Sequence, residues 1–353
     1  MTGRVLLLTP SRGLGGGIER YVATLEWAFT AQDVAHKRVD LRRPGPAGHR
    51  RLLAEAAACL GTPGGGGPGP ARLVAAHRAL LPVAAMLARR PDVAGVSVIC
   101  HGSDVWGTRA HPRWYAESRL MRRADVRVVA VSSFTAGALA TGCRATILPP
   151  GLSGGWFGEL SGAATTARPG CHGVELLTAF RLADWRDKGL PQLIEAVDAL
   201  GRRDVSLTIC GSGSPDPELL SLVRRYPWCT VLAGLTDGEL AARLAGADLF
   251  VLATRTRPGR RPCGEGFGLV LLEAQVAGTA VVAPAHGGSA DAYLSGVTGL
   301  APTDESVTAL TGVLDRLLKD PARLRQMGAR AAGWAGESFS PDKYAALAVD
   351  RLL

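Results

Sequence analysis

Four stretches of this 353-residue chain put reactive side chains beside residues that let the backbone bend close to a ligand. In SRGLGGGIERY, the successive glycines Gly15, Gly16 and Gly17 follow a strand-like run and precede a helical pattern. Such a turn points backbone N–H groups at an anion from a helix N-terminus; the alternative is an ordinary flexible loop. It is not a dinucleotide fingerprint, because the third glycine of G-x-G-x-x-G falls on Ile18 or Arg20. In HGSD, His101 and Asp104 follow the apolar run VSVIC, at the strand end where an open α/β sheet keeps its ligands. His101 could hydrogen-bond a substrate hydroxyl, and Asp104 could accept one or orient the imidazole. A satisfied structural histidine is the other reading.

In FRLADWRDKGL, Arg181 follows the run VELLTAF and Lys188 stands just before a helix. A guanidinium fork and an ammonium point charge at the mouth of a sheet can clamp a diphosphate, although basic chains also carry solvated loops of this kind. GEGFGLVLLEA is the most pointed of the four. Gly266 and Gly268 flank Phe267 and allow the backbone to approach a ligand, and the helix that follows offers N–H groups to phosphates. Glu265 before that helix and Glu273 about a turn into it could both bind hydroxyls of one extended, sugar-bearing ligand. The plainer alternative is a carboxylate opposing the helix dipole and a surface glutamate. Against it, Glu273 stands among Leu271, Leu272 and Ala274, where a carboxylate buried without a partner is costly.

To bring these four stretches to one rim, each needs a strand that ends at it, and short β-branched runs do alternate with helical patterns along most of the chain. RVLLLTP, VSVIC, VRVVAVSS and ATILPP form one series. VELLTAF, VSLTICG, TVLAG, ADLFVLAT and TAVVAP form a second. Between them, the breaker-rich stretch from Gly151 to about Gly173 predicts a connector. Ile18, Tyr21, Val22, Leu25 and Phe29 predict a helix after the first strand, and LVLLEAQVAG a helix closed by Gly278. The segment from Glu305 to Ala332 reads as two amphipathic helices, and Ser340 with Pro341 starts a final one. GTPGGGGPGP, from Gly61 to Pro70, is too poor in side chains to hold a core and reads as a surface loop. The fold class is therefore α/β, with two doubly wound parallel sheets facing a cleft. The expected domains are residues 1–165 and residues 166–340.

Composition narrows the function classes. At 47% hydrophobic the chain is not disordered, and its 45 Gly and 22 Pro have no collagen period. The net charge of +9 is carried almost wholly by arginine, since Lys37, Lys188, Lys319 and Lys343 are the only lysines. That suits a phosphate-bearing substrate, an anionic membrane surface or a nucleic acid, and no nucleic-acid module accompanies it. The seven cysteines form no C-x-x-C pair, which predicts free thiols in a reducing compartment. No apolar run reaches the length of a membrane span and no signal-peptide pattern opens the chain, so the expected location is cytoplasmic.

GGIE, HGSD, a strand-end Arg followed by KG, and E-x7-E inside EGFGLVLLEA, in that order, resemble the family-four, GT-B-fold retaining glycosyltransferases. VSSFTA, LPPG and APAHGGSAD extend the likeness over nearly the whole chain. The resemblance implies two Rossmann-like domains, a nucleotide-sugar donor held mainly by the second and an acceptor held mainly by the first, with the final helix at 341–353 crossing back to pack on the first. It implies that Arg181 and Lys188 hold the donor diphosphate, Glu273 the ribose and Glu265 the sugar hydroxyls, with backbone contacts from Gly266, Phe267 and Gly268. It places His101 and Asp104 at the transferring centre, and Gly16 and Gly17 near the diphosphate. Phe180 stands where the family often has Gly, and Asp291 where a Glu commonly follows the Gly-Gly pair. The basic run RTRPGRRPCG, Arg255 to Gly264, is longer than the pattern requires and reads either as a solvated charge run or as an acceptor or phosphate site.

The expected activity is transfer of a sugar from a nucleoside diphosphate sugar to an acceptor hydroxyl with retention at the anomeric carbon. No metal and no cofactor are expected beyond the nucleotide sugar itself, because the sequence has no D-x-D pair and Arg181 and Lys188 can offset the diphosphate. The acceptor is a small molecule, such as an antibiotic or other natural-product intermediate, or a lipid-linked or cell-envelope glycan, with peripheral membrane contact in the latter case and no nucleic acid. A nucleotide-sugar epimerase or hydrolase, and a non-catalytic sugar-nucleotide binder, are the rival readings.

Overall fold

A computed structural model describes residues 4–10, 16–61, 69–102, 112–140, 142–166, 173–257 and 262–353. It contains the two expected parallel sheets. The first is built from β1 (Val5–Thr9), β2 (His36–Asp40), β3 (Ala71–Ala75), β4 (Val93–Cys100), β5 (Val126–Ala130) and β6 (Ala145–Ile147), in the order β2-β1-β3-β4-β5-β6. The second comprises β7 (Val174–Arg181), β8 (Val205–Ser212), β9 (Cys229–Ala233), β10 (Leu249–Val251), β11 (Ala280–Val282) and β12 (Gly299–Leu300), in the order β12-β11-β10-β7-β8-β9. Strand order reverses between β1 and β3 in one sheet and between β7 and β10 in the other, and such switch points open the crevices in which these sheets bind ligands. Central strands are apolar on both faces, as a sheet covered on both sides requires: β1 is buried at all five positions.

Strands β2, β3 and β12 are additions to the sequence reading. In β2, HKRVD, only Val39 is buried, and Arg38 is tied to Glu26 and Asp40 at 2.7 and 2.6 Å. It is a polar edge strand, with none of the apolar run that announces a central one. The run VRVVAVSS also differs in extent, since β5 stops at Ala130 and Ser132 caps the next helix.

The helices of the first half are α1 (Gly17–Ala31), α2 (Pro46–Leu60), α3 (Leu81–Leu87), α4 (Pro112–Met121) and α5 (Ser133–Leu139). The stretch read as a breaker-rich connector instead forms α6 (Gly154–Thr166), a correction with a simple cause. Trp156 and Leu160 recur at helical spacing and are buried, while most glycines of the segment look outward. Packing against neighbours there outweighs the glycine penalty. After α6 come α7 (Leu190–Ala199), α8 (Pro217–Val223), α9 (Asp237–Gly246), α10 (Leu269–Val276), α11 (Val307–Leu318), α12 (Pro321–Ser338) and α13 (Pro341–Leu352).

α13 returns to the first sheet and packs on α1. Its last-turn carbonyls, which lack partners within the helix, are satisfied from that sheet: Ser97 Oγ donates to Leu352 O at 2.6 Å, and Arg127 Nη1 donates to Asp350 O at 3.0 Å. One buried cluster runs through both halves, joining Leu7, Tyr21 and Phe29 to Trp156, Phe250, Leu271 and Tyr344. Residues 62–68, most of the Gly-rich loop expected from Gly61 to Pro70, lie outside the described residues, as does Cys171; the other six cysteines are free thiols.

Candidate functional site

The carboxyl ends of β7 and β10 supply the charged groups. Arg181 closes β7, where its Nε and Nη2 donate to Asp184 at 2.8 and 3.0 Å, and this pair raises the guanidinium pKa further. A donor phosphate would have to share or displace that carboxylate. Lys188 Nζ donates to Glu265 Oε2 at 2.8 Å, and Thr254 Oγ1, just past β10, donates to the same oxygen at 3.0 Å. The ammonium and the carboxylate expected to hold diphosphate and sugar are thus already one half-buried ion pair at the switch point.

Two glycines explain the shape of the loop that carries Glu265. A Cβ on Gly266 would lie 1.8 Å from the carbonyl oxygen of His101, so only glycine lets the loop of one half touch the strand end of the other. Gly268 caps α10 at φ 84°, in the left-handed region. Phe267 between them is buried, its ring centre 6.1 Å from that of Phe339.

Across the seam, His101 Nε2–H donates to the main-chain oxygen of Ala76 at 2.8 Å. Its ring stands edge-on to Tyr21 at 5.3 Å and parallel to His77 at 6.0 Å. Asp104 lies outside the described residues. Gly16 caps α1 and Gly17 is its first residue, both exposed.

Glu273 is only 5% exposed, and it is not alone. Trp156 Nε1–H donates to its Oε1 at 3.0 Å, and Arg20 Nε lies 3.5 Å from the same atom. Arg20 also rests over the Trp156 ring at 4.6 Å and donates to Asp237 Oδ1 at 2.9 Å. Burial pushes the Glu273 carboxyl above the usual range, with Arg20 and Trp156 opposing it. A second contact across the seam joins Ser133 Oγ to Asp291 Oδ1 at 2.7 Å, and Ser133 N–H donates to the other carboxylate oxygen.

The structure therefore brings His101, Arg181, Lys188, Glu265 and the Gly266–Gly268 turn to the facing strand ends, with Glu273 one turn deeper. Sequence reading missed Arg20, Trp156, Asp184, Thr254, Asp237 and Ser133. Arg20 had one visible signal, a cation in the first turn of a helix where the dipole disfavours it, which calls for an acidic partner. Trp156 had none, because its stretch read as a connector.

Within the basic run, Arg257 and Cys263 exchange backbone hydrogen bonds at 3.0 Å. Arg255 is tied to Glu305, whose main-chain oxygen it reaches at 2.5 Å, and Arg257 pairs with Asp187. Both line a cleft of about 350 Å³ with Trp185, Arg186, Pro191 and Gln192. Arg260 and Arg261 lie outside the described residues. Among the described residues no group of three His, Cys, Asp or Glu side chains could hold a metal ion, and no helix is long and apolar enough to cross a membrane.

The family model for glycosyl transferases group 1 matches residues 176–334. The chain is 33% identical to the GDP-mannose-dependent alpha-(1-6)-phosphatidylinositol monomannoside mannosyltransferase of Mycolicibacterium smegmatis, over 72% of this chain and 68% of that protein. It is 30% identical to the protein of the same name from Mycobacterium tuberculosis, over 99% of this chain and 98% of that one. Among solved structures, Anabaena Alr3699/HepE in complex with UDP and glucose superposes with a TM-score of 0.73 at 18% identity, covering 98% of each chain, a likeness of fold.

Proposed function

The chain belongs to the glycosyl transferases group 1, and from that membership we propose that it moves a sugar from a nucleoside diphosphate sugar to an acceptor hydroxyl with retention at the anomeric carbon. The observation that carries this reading is the Lys188–Glu265 pair at the β7–β10 switch point, packed through Gly266 against His101 of the opposite sheet. A cation for the leaving group and a carboxylate for sugar hydroxyls then face an imidazole across one seam.

In the reaction, the bond from the anomeric carbon to the β-phosphate oxygen breaks, and the acceptor oxygen bonds to that carbon on the same face. The departing phosphate oxygen takes the acceptor proton. Arg181 and Lys188 stabilise the charge that builds on the diphosphate, each such preorganised contact being worth about 3 kcal/mol, and they take the duty a divalent ion has in other transferases. Glu273 binds the nucleotide ribose, and Glu265 the hydroxyls of the transferred sugar.

Relatives named as GDP-mannose-dependent mannosyltransferases of a phosphatidylinositol mannoside support GDP-mannose as donor and a phosphoinositide glycolipid as acceptor, ahead of a natural-product intermediate. The test offers GDP-mannose and UDP-glucose separately with a phosphatidylinositol monomannoside and follows the product by mass spectrometry and anomeric NMR. An α-mannoside formed from GDP-mannose is expected. A β-product, or donor hydrolysis at the same rate without acceptor, refutes the reading.

A further inference from the structure

Glu273 has an unusual setting for a group expected to bind a ligand. Its carboxylate is almost fully buried; Trp156 Nε1–H donates to Oε1 at 3.0 Å, and Arg20 Nε stands 3.5 Å from the same oxygen as its ion-pair partner. A hydrogen bond and a guanidinium charge on one oxygen hold the carboxylate from that side. Neither group belongs to the sheet that carries Glu273. Arg20 comes from the first turn of α1, immediately after Gly16 and Gly17, and Trp156 from α6.

Arg20 has a second carboxylate partner, Asp237 at the start of α9, but that side chain is 60% exposed. An exposed pair of this kind contributes little. A buried carboxylate that loses its cation, by contrast, carries an uncompensated charge. The unequal burial implies that Asp237 and the Trp156 ring steer the guanidinium, and Glu273 is the group that depends on it.

We propose that Arg20 is the positioning residue of Glu273, holding this carboxylate ionised and in place for the donor nucleotide only while the first turn of α1 stands where Arg20 reaches Asp237 of α9 and Glu273 of α10. The coupling rests on Glu273 contacting the donor, as proposed above. It would make nucleotide affinity a function of closure between the two sheets, because the guanidinium that completes the donor site belongs to the opposite half. The titratable and charged groups around Glu273 are Arg20 on α1, Asp237 on α9 and the more distant, exposed Glu159 on α6; Trp156 adds a neutral donor.

The test measures binding of GDP, with UDP in parallel, by calorimetry between pH 5.5 and 8.5 for the full chain and for Arg20→Gln, Arg20→Lys, Trp156→Phe and Glu273→Gln, with thermal melts to establish folding. The parent is expected to bind with little pH dependence. Arg20→Gln should lose about tenfold at pH 8.5, where the buried carboxylate is left without its cation, and more at pH 5.5 as Glu273 takes up a proton. Arg20→Lys should restore the flat profile, Trp156→Phe should shift it in the same direction as Arg20→Gln but less, and Arg20→Gln on the Glu273→Gln background should add nothing. A folded Arg20→Gln protein with the parent's pH profile, or a loss additive with that of Glu273→Gln, overturns the proposal. If the parent binds neither GDP nor UDP, the donor-site reading fails first and this coupling with it. If Glu273→Gln alone leaves GDP binding intact, the donor-site reading stands, but the role of Glu273 is lost and this coupling is overturned.

Discussion

Lys188 donates to Glu265 at 2.8 Å, so the cation expected at the diphosphate is held in place before any donor arrives. Lys188→Ala is expected to lower kcat by roughly 10²–10³, as loss of one preorganised donor does, and added Mg²⁺ should not restore it. Steady-state kinetics with and without EDTA check both points; an enzyme stopped by chelation contradicts the second. His101 is committed through Nε2 to a main-chain carbonyl, and its expected use is at the transferring centre, so His101→Ala should reduce kcat with donor KM little changed. Wild-type turnover would make it a structural histidine. Glu273 offers a pH test. Burial raises its folded pKa, so keeping it ionised costs stability at neutral pH, and that cost is relieved as pH falls through the raised value. Glu273→Gln is therefore expected to melt no lower than the parent at pH 8, with any gain narrowing toward pH 5. A lower melting temperature for the variant at pH 8 would mean that Arg20 and Trp156 more than repay the burial.

Elements place these residues through contacts remote in sequence. α13 is amphipathic, and its Tyr344 is buried under Gly151, where a Cβ would fall 2.3 Å from the ring. The last helix thereby joins α1, which carries Arg20, to the strand-end segment that leads into α6, which carries Trp156. Tyr344→Ala should destabilise the fold by about 3–5 kcal/mol, read from the urea midpoint, since it empties the volume of a large buried ring. A change below about 1 kcal/mol would mean that the helix does not brace the two elements. α6 shows how packing overrides propensity, because a glycine-rich stretch becomes a helix once Trp156 and Leu160 have a surface to cover.

At the scale of the molecule, the two sheets meet through polar as well as apolar contacts: Arg20 to Asp237 and Glu273, Ser133 to Asp291, and the Gly266 approach to His101. The net charge of +9 is concentrated in guanidinium groups, and Arg255 and Arg257 line an open cleft beside the Lys188 loop, each already matched by a carboxylate. If they help to hold a phosphate-bearing acceptor, Arg255→Ala with Arg257→Ala should raise acceptor KM several-fold at low salt, and the difference from the parent should shrink as salt rises. An acceptor KM that ignores both substitutions and ionic strength leaves the two arginines as partners of Glu305 and Asp187 only.

The doubly wound architecture was legible because the central strands of buried parallel sheets must be apolar on both faces, and VELLTAF or VSVIC announces that in a line of text. The ends of those strands were legible for the same reason, and with them His101, Arg181, Lys188 and Glu265, which follow the apolar runs within a few residues or sit in the turn beside a glycine pair. The polar edge strand β2 and the helix α6 were not, because their stability comes from neighbours that local pattern does not contain. Sequence also required that a buried Glu273 have a partner, without saying which. Only the tertiary structure decided that the partners are Arg20, 253 positions earlier by residue number, and Trp156, 117 earlier. An ion pair across a cleft depends on how two sheets are set against each other, and that relation is created by the packing of α1, α6 and α13 rather than by any spacing along the chain.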